Sequence, residues 1–279
     1  MSMWKECEGL QEELVKIRRE LHQIPEFGFD LPETQKYVTD KLDELGIPYK
    51  CSGTDSSIIA EIKGGQPGKT VALRADMDAL KITEANDVDY KSKHEGLMHA
   101  CGHDNHIAML LGAAKVLNAH KAEIKGNVRL LFQTAEELSK GAEIMIKDGA
   151  MDGVDAVFGQ HIGSIINKDI PAGKVIVTPG CCMASFDRFV IHVKGTGCHG
   201  STPEKGTDPI TMASHIVINL QEIIAREVSA VKAAVVTIGY FHGGVAYNAI
   251  PSEVEIEGTI RALEEPIRQY LAKRIEEIA

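Results

Sequence analysis

The sequence lacks several features that mark whole classes of protein. No apolar run approaches the about 20 residues that a bilayer span needs. The first residues, MSMWKECEGLQEELVKIRRELH, are charged throughout and contain no signal-peptide core. Only 6 cysteines are spread over 279 residues, which argues against a disulfide framework. These absences predict a cytoplasmic protein with reduced thiols and no membrane partner.

Positive charge is also scarce in this chain. Lys and Arg together number 30 against 40 Asp and Glu, which gives a formal net charge of −10. Such a chain is not attracted to nucleic acid or to an anionic membrane, so small molecules and other proteins remain as partners. Hydrophobic residues at 44% and charged residues at 25% describe an ordinary globular protein. The length allows one large domain or two smaller ones.

The first two thirds of the chain alternate between two kinds of hydrophobic pattern. Some segments carry apolar residues at helical spacing, and others are β-branched runs that end in Gly or acidic residues. The predicted helices are 8–22, 33–46, 107–120 and 142–151, and the predicted strands are 56–65, 69–80, 127–137 and 154–163. This alternation predicts an α/β domain with a central, mostly parallel sheet and helices on both faces.

The pattern changes after about residue 184. The predicted order is a strand at 185–195, a helix at 208–227, strands at 233–241 and 252–262, and a helix at 264–279. This β-α-β-β-α order is most of a ferredoxin-like α/β unit, which normally ends with one more strand. We therefore predict two domains, 1–184 and 185–279, the second of them incomplete.

Polar side chains follow three of the predicted strands. They are Asp76 and Asp78 after VALR, Glu136 and Glu137 after VRLLFQ, and His161 after AVFGQ. In sheets of parallel strands, sites lie outside the carboxyl ends of the strands. We expect these side chains to meet at one edge of the sheet, where the loop that contains Cys101 and His103 can join them.

The stretch MHACGHDNHIAML, residues 98–110, places Cys101 and His103 on one short loop before a helix. Cys, His and Glu are the side chains that bind zinc-like cations. The adjacent acids Glu136 and Glu137 repel each other unless a cation or a proton neutralises them, although a solvated turn is the alternative interpretation. A rival assignment makes Cys101 a thiol nucleophile with His103 as its base. It is weaker because nothing in the sequence marks an oxyanion hole.

The pair of glutamates also indicates a type of reaction. One carboxylate can bind a metal ion while its neighbour takes the proton of an attacking water, which is the usual arrangement for hydrolysing an unactivated amide. The residues alone thus predict a metal-dependent hydrolase.

Several blocks together resemble one family of metallopeptidases. The blocks are RRELHQIPEFGFDLPET, VALRADMDAL, MHACGHDNHIAMLLGAAK, LLFQTAEE, FGQHI, GTGCHGSTPEKGTDPI and GGVAYNAIPSEVEIEGTIRAL. In this order they resemble the di-metal amidohydrolases, which include hippurate hydrolase, indole-acetyl-amino-acid hydrolases, aminoacylases and N-acetyldiaminopimelate deacetylase. The resemblance implies a zinc-peptidase-like catalytic domain and a lid domain that forms a homodimer. It also implies hydrolysis of N-acyl-amino acids.

The resemblance implies a role for each matching residue of the metal centre. Cys101 matches the thiolate shared by two divalent ions, which are zinc, manganese, cobalt or nickel. His103, Glu137 and His161 match further ligands, and Glu136 matches the general base that activates water and then protonates the leaving amine.

Four more residues acquire roles from the same resemblance. His199 matches the lid histidine that reaches into the partner subunit's active site and stabilises the oxyanion. Asn248 and Arg261 match positions that contact the free carboxylate of the substrate. Asp78 matches a carboxylate that orients His103.

Some features leave alternatives open. Members of the family continue beyond the point at which this sequence ends and bring a further histidine ligand, so a non-catalytic metal-binding or dimerising remnant is one alternative. A dipeptidase or carboxypeptidase of the same superfamily is another. His99 is expected to line the site, His106 to pack at the start of the helix, and His22 to be structural or solvent-facing.

Overall fold

A computed structural model of the protein describes residues 3–163, 169 and 171–279. The chain divides into two units, Met1–Ala172 and Gly173–Ala279. The predicted boundary at residue 184 and the catalytic and lid roles of the two segments stay predictions. None of the helices in the described part of the chain has both the length and the apolar character that a bilayer span requires.

The first unit alternates helices with strands. Its helices are α1 (Met3–Glu8), α2 (Gln11–His22), α3 (Pro32–Glu44), α4 (His103–Ala119) and α5 (Gly141–Lys147). Its strands are β1 (Tyr49–Cys51), β2 (Ile58–Lys63), β3 (Gln66–Asp76), β4 (Lys125–Gln133) and β5 (Ala156–Gly159). The single helix predicted for 8–22 is interrupted at Gly9 and Leu10, which separate α1 from α2.

The five strands form one sheet in the order β1-β2-β4-β3-β5. β3 runs parallel to β4 and to β5, whereas β2 is antiparallel to both β1 and β4. The predicted α/β class is confirmed, and in detail the sheet is mixed. Only two residues join β2 to β3, which are too few for the crossover that a parallel strand requires.

Helices cover both faces of this sheet. The larger core packs α2, α3 and α4 against one face, where Ile58, Leu130 and Phe132 are fully buried. Leu131 points to the other face and joins a smaller cluster with Met145 of α5. The alternation of neighbouring β4 residues between the two clusters follows from the two-residue period of a strand.

The longer elements of the second unit follow the predicted β-α-β-β-α order, and two strands of two residues each are added to it. Its strands are β6 (Asp187–Lys194), β7 (Cys198–His199), β8 (Ala234–Gly243), β9 (Ala249–Ile250) and β10 (Glu253–Ala262), and its helices are α6 (Pro209–Glu222) and α7 (Glu265–Ile278). β10 lies between β6 and β8 in an antiparallel sheet, and β7 pairs with β9. Leu220 of α6 and Leu271 of α7 pack with Ile260 of β10 in the core of this unit.

Candidate metal centre

The candidate metal ligands lie at the carboxyl ends of three neighbouring strands. β3 pairs in parallel with β4 on one side and with β5 on the other, so the three strands end at one edge of the sheet. Asp76 ends β3, Glu136 and Glu137 follow β4, and His161 follows β5. The topology therefore brings together side chains that are distant in sequence.

Helix α4 brings Cys101 and His103 to the same edge. The sequence predicted a loop here and a helix from residue 107, but α4 begins at His103 itself. Gly102 precedes it with φ of 88°, and a Cβ at Gly102 would lie 2.6 Å from Cδ1 of Ile162. Glycine is therefore required at this turn. The hydrophobic pattern missed the first turn because several of its side chains are polar and yet buried.

The ligand atoms of the predicted metal-binding residues converge. Nε2 of His103 lies 3.9 Å from Oε2 of Glu136 and 3.9 Å from Oε1 of Glu137. Sγ of Cys101 lies 3.3 Å from Nε2 of His161. Cys101, His103 and His161 form one group whose ligand atoms lie within 4.8 Å of one another, and His103 forms a second such group with the two glutamates. His103 joins the two groups.

Backbone carbonyls fix the protons of the two imidazole rings. Nδ1 of His103 donates a hydrogen bond to the carbonyl oxygen of Asp78 at 2.7 Å, and Nδ1 of His161 donates to that of Ile162 at 2.5 Å. A carbonyl can only accept, so in each neutral ring Nδ1 carries the proton and Nε2 keeps its lone pair. Metal-binding histidines are commonly oriented in this way.

Buried ligand atoms without a hydrogen-bond partner indicate that these residues fit a divalent ion. Nε2 of His103 and Oε1 of Glu137 are buried without a hydrogen-bond partner. Leaving such an atom unpaired costs about 1–3 kcal/mol, and native structures rarely tolerate it without a reason. A thiol, two imidazoles and a carboxylate are the donors that zinc and its neighbours in the periodic table accept.

The electrostatics of Cys101 disfavour the rival assignment as a nucleophile. Burial and the nearby carboxylates, Glu137 foremost, raise the pKa of Cys101 to about 12. Reactive cysteines have a lowered pKa, and the imidazole within hydrogen-bonding distance of this sulfur is His161 rather than His103. A bound cation would stabilise the thiolate as a ligand.

Asp78 supports the centre in a different way from the one expected. The resemblance implies that its carboxylate orients His103, but Oδ1 of Asp78 lies 3.7 Å from Nδ1 of His103, and the backbone carbonyl of Asp78 makes the hydrogen bond. The fully buried Asp78 carboxylate instead accepts hydrogen bonds from the backbone N–H groups of Glu136 at 2.9 Å and Glu137 at 3.1 Å. Asp78 thus positions all three residues.

The turn that carries the two glutamates has an unusual backbone. Ala135 has φ of 48°, in the left-handed region that residues other than glycine rarely adopt. Its N–H donates to the carbonyl of Gly28, which holds the turn in place. Strain of this kind persists where the surroundings hold it, and it is common at functional sites.

Comparison with known proteins decides the family. The family model described as peptidase family M20/M25/M40 matches residues 72–278. The chain belongs to this family. The resemblance predicted from the motifs is thereby confirmed, and the matched residues extend over both units.

Relatives of this M20 chain are longer than the chain itself. N-acetyl-L-cysteine deacetylase of Bacillus subtilis (strain 168) is 43% identical over 266 residues, which are 95% of this chain and 63% of that protein. N-acyl-L-amino acid amidohydrolase of Geobacillus stearothermophilus is 42% identical over 267 residues, which are 95% of this chain and 71% of that protein. These names agree with the predicted type of reaction.

The fold is also similar to a solved structure of the M20 family. The YXEP protein of Bacillus subtilis, described as a dinuclear metal-binding peptidase, has a TM-score of 0.81 and 37% sequence identity to this chain. The similarity covers 97% of this chain and 69% of the YXEP chain.

Beside the candidate metal centre, this M20 chain contains a buried ionic network that sequence reasoning missed. Nδ1 of His22 lies 2.7 Å from Asp104 and its Nε2 lies 3.1 Å from Glu84, while Nε of Arg18 lies 2.9 Å from Asp104. The hydrogen bond to Asp104 is the largest cause of a raised pKa of His22, and Glu84 adds to it against the effect of burial. His22 was expected to be structural or solvent-facing, and its 2% exposure shows the former.

His99 lines a cavity of about 420 Å³ that is also bounded by Cys101 and Tyr90. The His99 ring is buried, and neither nitrogen has a hydrogen-bond partner. Burial lowers the pKa of His99 to about 4, so the ring is neutral. His99 therefore lines a cavity beside the predicted centre, as the sequence indicated.

The second unit brings two of the three predicted substrate-contacting residues together. β7 ends at His199 and pairs with β9, which begins one residue after Asn248, and the N–H of Gly200 donates to the carbonyl of Asn248. Arg261 lies near the opposite end of β10, with its guanidinium 4.4 Å from the ring centre of Phe186. The 10 residues of β10 span about 31 Å, so one substrate cannot contact both ends within one unit.

Hydrogen bonds define the tautomer of the exposed His199. Its Nδ1 accepts from the backbone N–H of Ser201 at 3.2 Å and lies 2.7 Å from the Ser201 hydroxyl. Because an N–H can only donate, Nδ1 is unprotonated in the neutral ring and Nε2 carries the proton. His199 therefore presents an N–H donor to its surroundings.

Proposed function

We propose that the protein hydrolyses the amide bond of N-acyl-amino acids and releases a carboxylic acid and a free amino acid. The observation that carries this proposal is the convergence of Cys101, His103, Glu137 and His161, with unpartnered buried ligand atoms beside Glu136. The activities for which the two relatives are named support the same substrate class.

The proposed cofactors are two divalent ions, drawn from zinc, manganese, cobalt and nickel. Cys101 would be the ligand common to both ions, and His103, Glu137 and His161 would supply the other donors of this chain. Bound ions of this kind lower the pKa of water and polarise a carbonyl group. Thiol, imidazole and carboxylate donors bind several such metals, so the donor set alone selects a group of ions.

Glu136 is the proposed general base. Its side chain is 38% exposed, whereas that of Glu137 is 17% exposed, so Glu136 is the glutamate that reaches an incoming water and substrate. Burial first, and then the charges of Asp76 and Glu137, raise the pKa of Glu136 against the opposing effect of His103. A raised pKa helps the carboxyl group to take a proton from water and then pass it to the leaving amine.

The second unit is proposed to bind the substrate and to form a homodimer. His199 would donate its Nε2 proton to the developing oxyanion, while Asn248 and Arg261 would contact the free carboxylate. His199 and Asn248 lie together and Arg261 lies at the far end of β10. A site that uses all three therefore draws them from two copies of the chain.

A reducing compartment suits this centre. All six cysteines are free, and a ligand thiolate at Cys101 has to remain unoxidised. We propose the cytoplasm as the compartment for this reason.

Metal analysis combined with a substrate panel tests the proposed function. The protein is loaded with zinc, manganese, cobalt or nickel and assayed with acetyl-, benzoyl- and indoleacetyl-amino acids. Hydrolysis of at least one of them, lost with a chelator and restored by metal, is the expected result. Absence of turnover with every metal and substrate would contradict the proposal.

The same panel separates the two alternatives from the proposed function. Dipeptides with a free amino terminus are included, because their cleavage in place of N-acyl-amino acids would identify a dipeptidase. Stoichiometric metal binding without any hydrolysis would identify a non-catalytic metal-binding protein.

A further inference from the structure

The ring of His106 belongs to a third cluster of potential metal ligands. Asp76, His103 and His106 are all buried, and their ligand atoms lie within 4.8 Å of one another. A cluster of this kind could hold an ion directly, or it could support a neighbouring ion site. The hydrogen bonds of His106 decide between these possibilities.

Both ring nitrogens of His106 form hydrogen bonds, and their partners determine which nitrogen carries the proton. Nε2 lies 2.9 Å from the backbone nitrogen of Ile162, which can only donate. Nε2 is therefore the unprotonated acceptor, and in the neutral ring the proton is on Nδ1, which donates to Oδ1 of Asp76 at 2.5 Å. Since the lone pair of Nε2 is occupied, His106 has no nitrogen free for a metal ion.

Asp76 is held in turn by a cation. Its fully buried carboxylate receives a hydrogen bond from Nη1 of Arg74 at 2.6 Å on the other oxygen. The orientation of the His106 ring is thus fixed by a charge-assisted hydrogen bond to a carboxylate that is itself paired.

The backbone N–H group of Ile162, which is bonded to His106, lies next to the predicted metal ligand His161. Ile162 directly follows His161, so fixing its N–H fixes the peptide bond that joins the two residues. The His106 and His161 rings also contact each other edge to face, with centroids 4.6 Å apart. His161 is itself exposed, and it follows β5, whose four residues are all exposed. Packing around this segment of the chain is therefore weak, which makes the contacts with His106 important.

We propose that His106 is a positioning residue, which holds the peptide after His161 so that Nε2 of His161 faces Cys101, and that it is not itself a metal ligand. The inference rests on the proposed metal centre. Its predicted effect is selective, because His161 depends on the bond to Ile162, whereas the His103 ring, which stacks on His106, is also held by the carbonyl of Asp78.

Two substitutions separate the two hydrogen bonds of His106. The amide of Gln reaches the place of Nε2 and can accept from Ile162, whereas the shorter amide of Asn reaches the place of Nδ1 and can only retain the bond to Asp76. His106→Gln and His106→Asn are therefore a matched pair, because both replace the imidazole ring by an amide. His120→Gln, far along the chain at the end of α4, is the control for replacing a histidine.

The pair is compared by titrating the metal-free protein with Co²⁺ and recording the visible and near-ultraviolet spectrum. In His106→Asn we expect the affinity for the ion that His161 helps to bind to fall about 10- to 100-fold, as for other residues that orient ligands. The affinity for the other ion should change little, and His106→Gln should recover most of the loss. Equal behaviour of the two variants, or equal weakening of both ions, would overturn the proposal.

A measurement on the unsubstituted protein covers the case in which a variant does not fold. Nitrogen-15 NMR of the histidine rings reports the tautomer and the metal coordination of each nitrogen. We expect Nε2 of His106 to keep its chemical shift when Zn²⁺ is added, while Nε2 of His161 changes. A metal-induced shift at Nε2 of His106 would make it a ligand and would overturn the inference. Failure of His103 and His161 alike to respond to Zn²⁺ would instead contradict the proposed metal centre.

Discussion

The two units differ in how they hold their candidate functional residues. In the first unit, Asp76, Asp78 and His103 are fully buried, and hydrogen bonds to the Asp78 carbonyl and to Asp76 fix the protons on the rings of His103 and His106 respectively. In the second unit, His199, Asn248 and Arg261 are exposed. The first unit builds a preorganised centre within its described residues. The second unit presents its candidate residues on exposed positions, where they need a further binding surface to form a site.

The largest effect is expected inside the first unit, at the proposed general base. Glu136→Gln should lower kcat by about 10²- to 10⁴-fold, which is the usual contribution of general acid–base catalysis. The bound metal should remain, because the amide is isosteric and Glu137 is untouched. Steady-state kinetics and metal analysis check this prediction.

The neighbouring glutamate is the matched control for that experiment. Glu137→Gln should release metal as well as lose activity, because its unpartnered oxygen faces Nε2 of His103. Turnover retained by Glu136→Gln would remove Glu136 from the role of base.

A smaller loss of activity is expected in the second unit, without any loss of stability. His199→Ala should lower kcat about 10²- to 10³-fold, as when one donor to an oxyanion is removed. The free energy of unfolding should stay within about 0.5 kcal/mol because the side chain is exposed. Kinetics and urea denaturation measure the two effects separately.

His192 provides a control on the same unit, since its side chain is 52% exposed and it has no assigned role. His192→Ala should leave both quantities unchanged. Full activity in His199→Ala would contradict the role given to the second unit.

Replacing His22, which has no assigned role in catalysis, is expected to change the free energy of unfolding. The raised pKa of His22 means that its contribution is complete below the ordinary histidine value of 6.5 and is lost as pH rises through the folded-state pKa. His22→Gln should therefore be destabilised by about 3 kcal/mol at mildly acidic pH, as for other broken buried pairs. The difference from the unsubstituted protein should shrink as pH increases.

Urea denaturation of the metal-free protein between pH 5.5 and 9 tests this dependence. The exposed His192→Gln serves as the reference for replacing a histidine by glutamine. A difference at His22 that stays constant or grows with pH would show that the charged ring does not stabilise the network.

The sequence indicated most of the first unit because its signals are local. Glu136, Glu137 and His161 each follow an apolar run, and parallel strands bring such positions to one edge. The start of α4 was predicted four residues too late because His103 and Asp104 are polar. They are nevertheless buried, since each has a buried hydrogen-bond partner. No hydrophobic pattern reports such partners.

Other features depend on contacts that a sequence pattern does not contain. The role inferred for His106 requires the N–H of a residue 56 positions away, and Asp78 orients His103 by a backbone carbonyl that every residue type possesses. The network of His22 joins α2 to α4 and a loop, so its pairing emerges only from the fold. The separation of Asn248 and Arg261, by contrast, follows from the length of the strand predicted between them.

The coordination of the metal by sulfur tests the central claim most directly. X-ray absorption at the zinc edge, on protein loaded with Zn²⁺, should detect a sulfur neighbour at about 2.3 Å together with nitrogen or oxygen neighbours at about 2.0–2.2 Å. The sulfur contribution should disappear in Cys101→Ser. A zinc environment of nitrogen and oxygen alone in the unsubstituted protein, or a sulfur neighbour that persists in Cys101→Ser, would contradict the account.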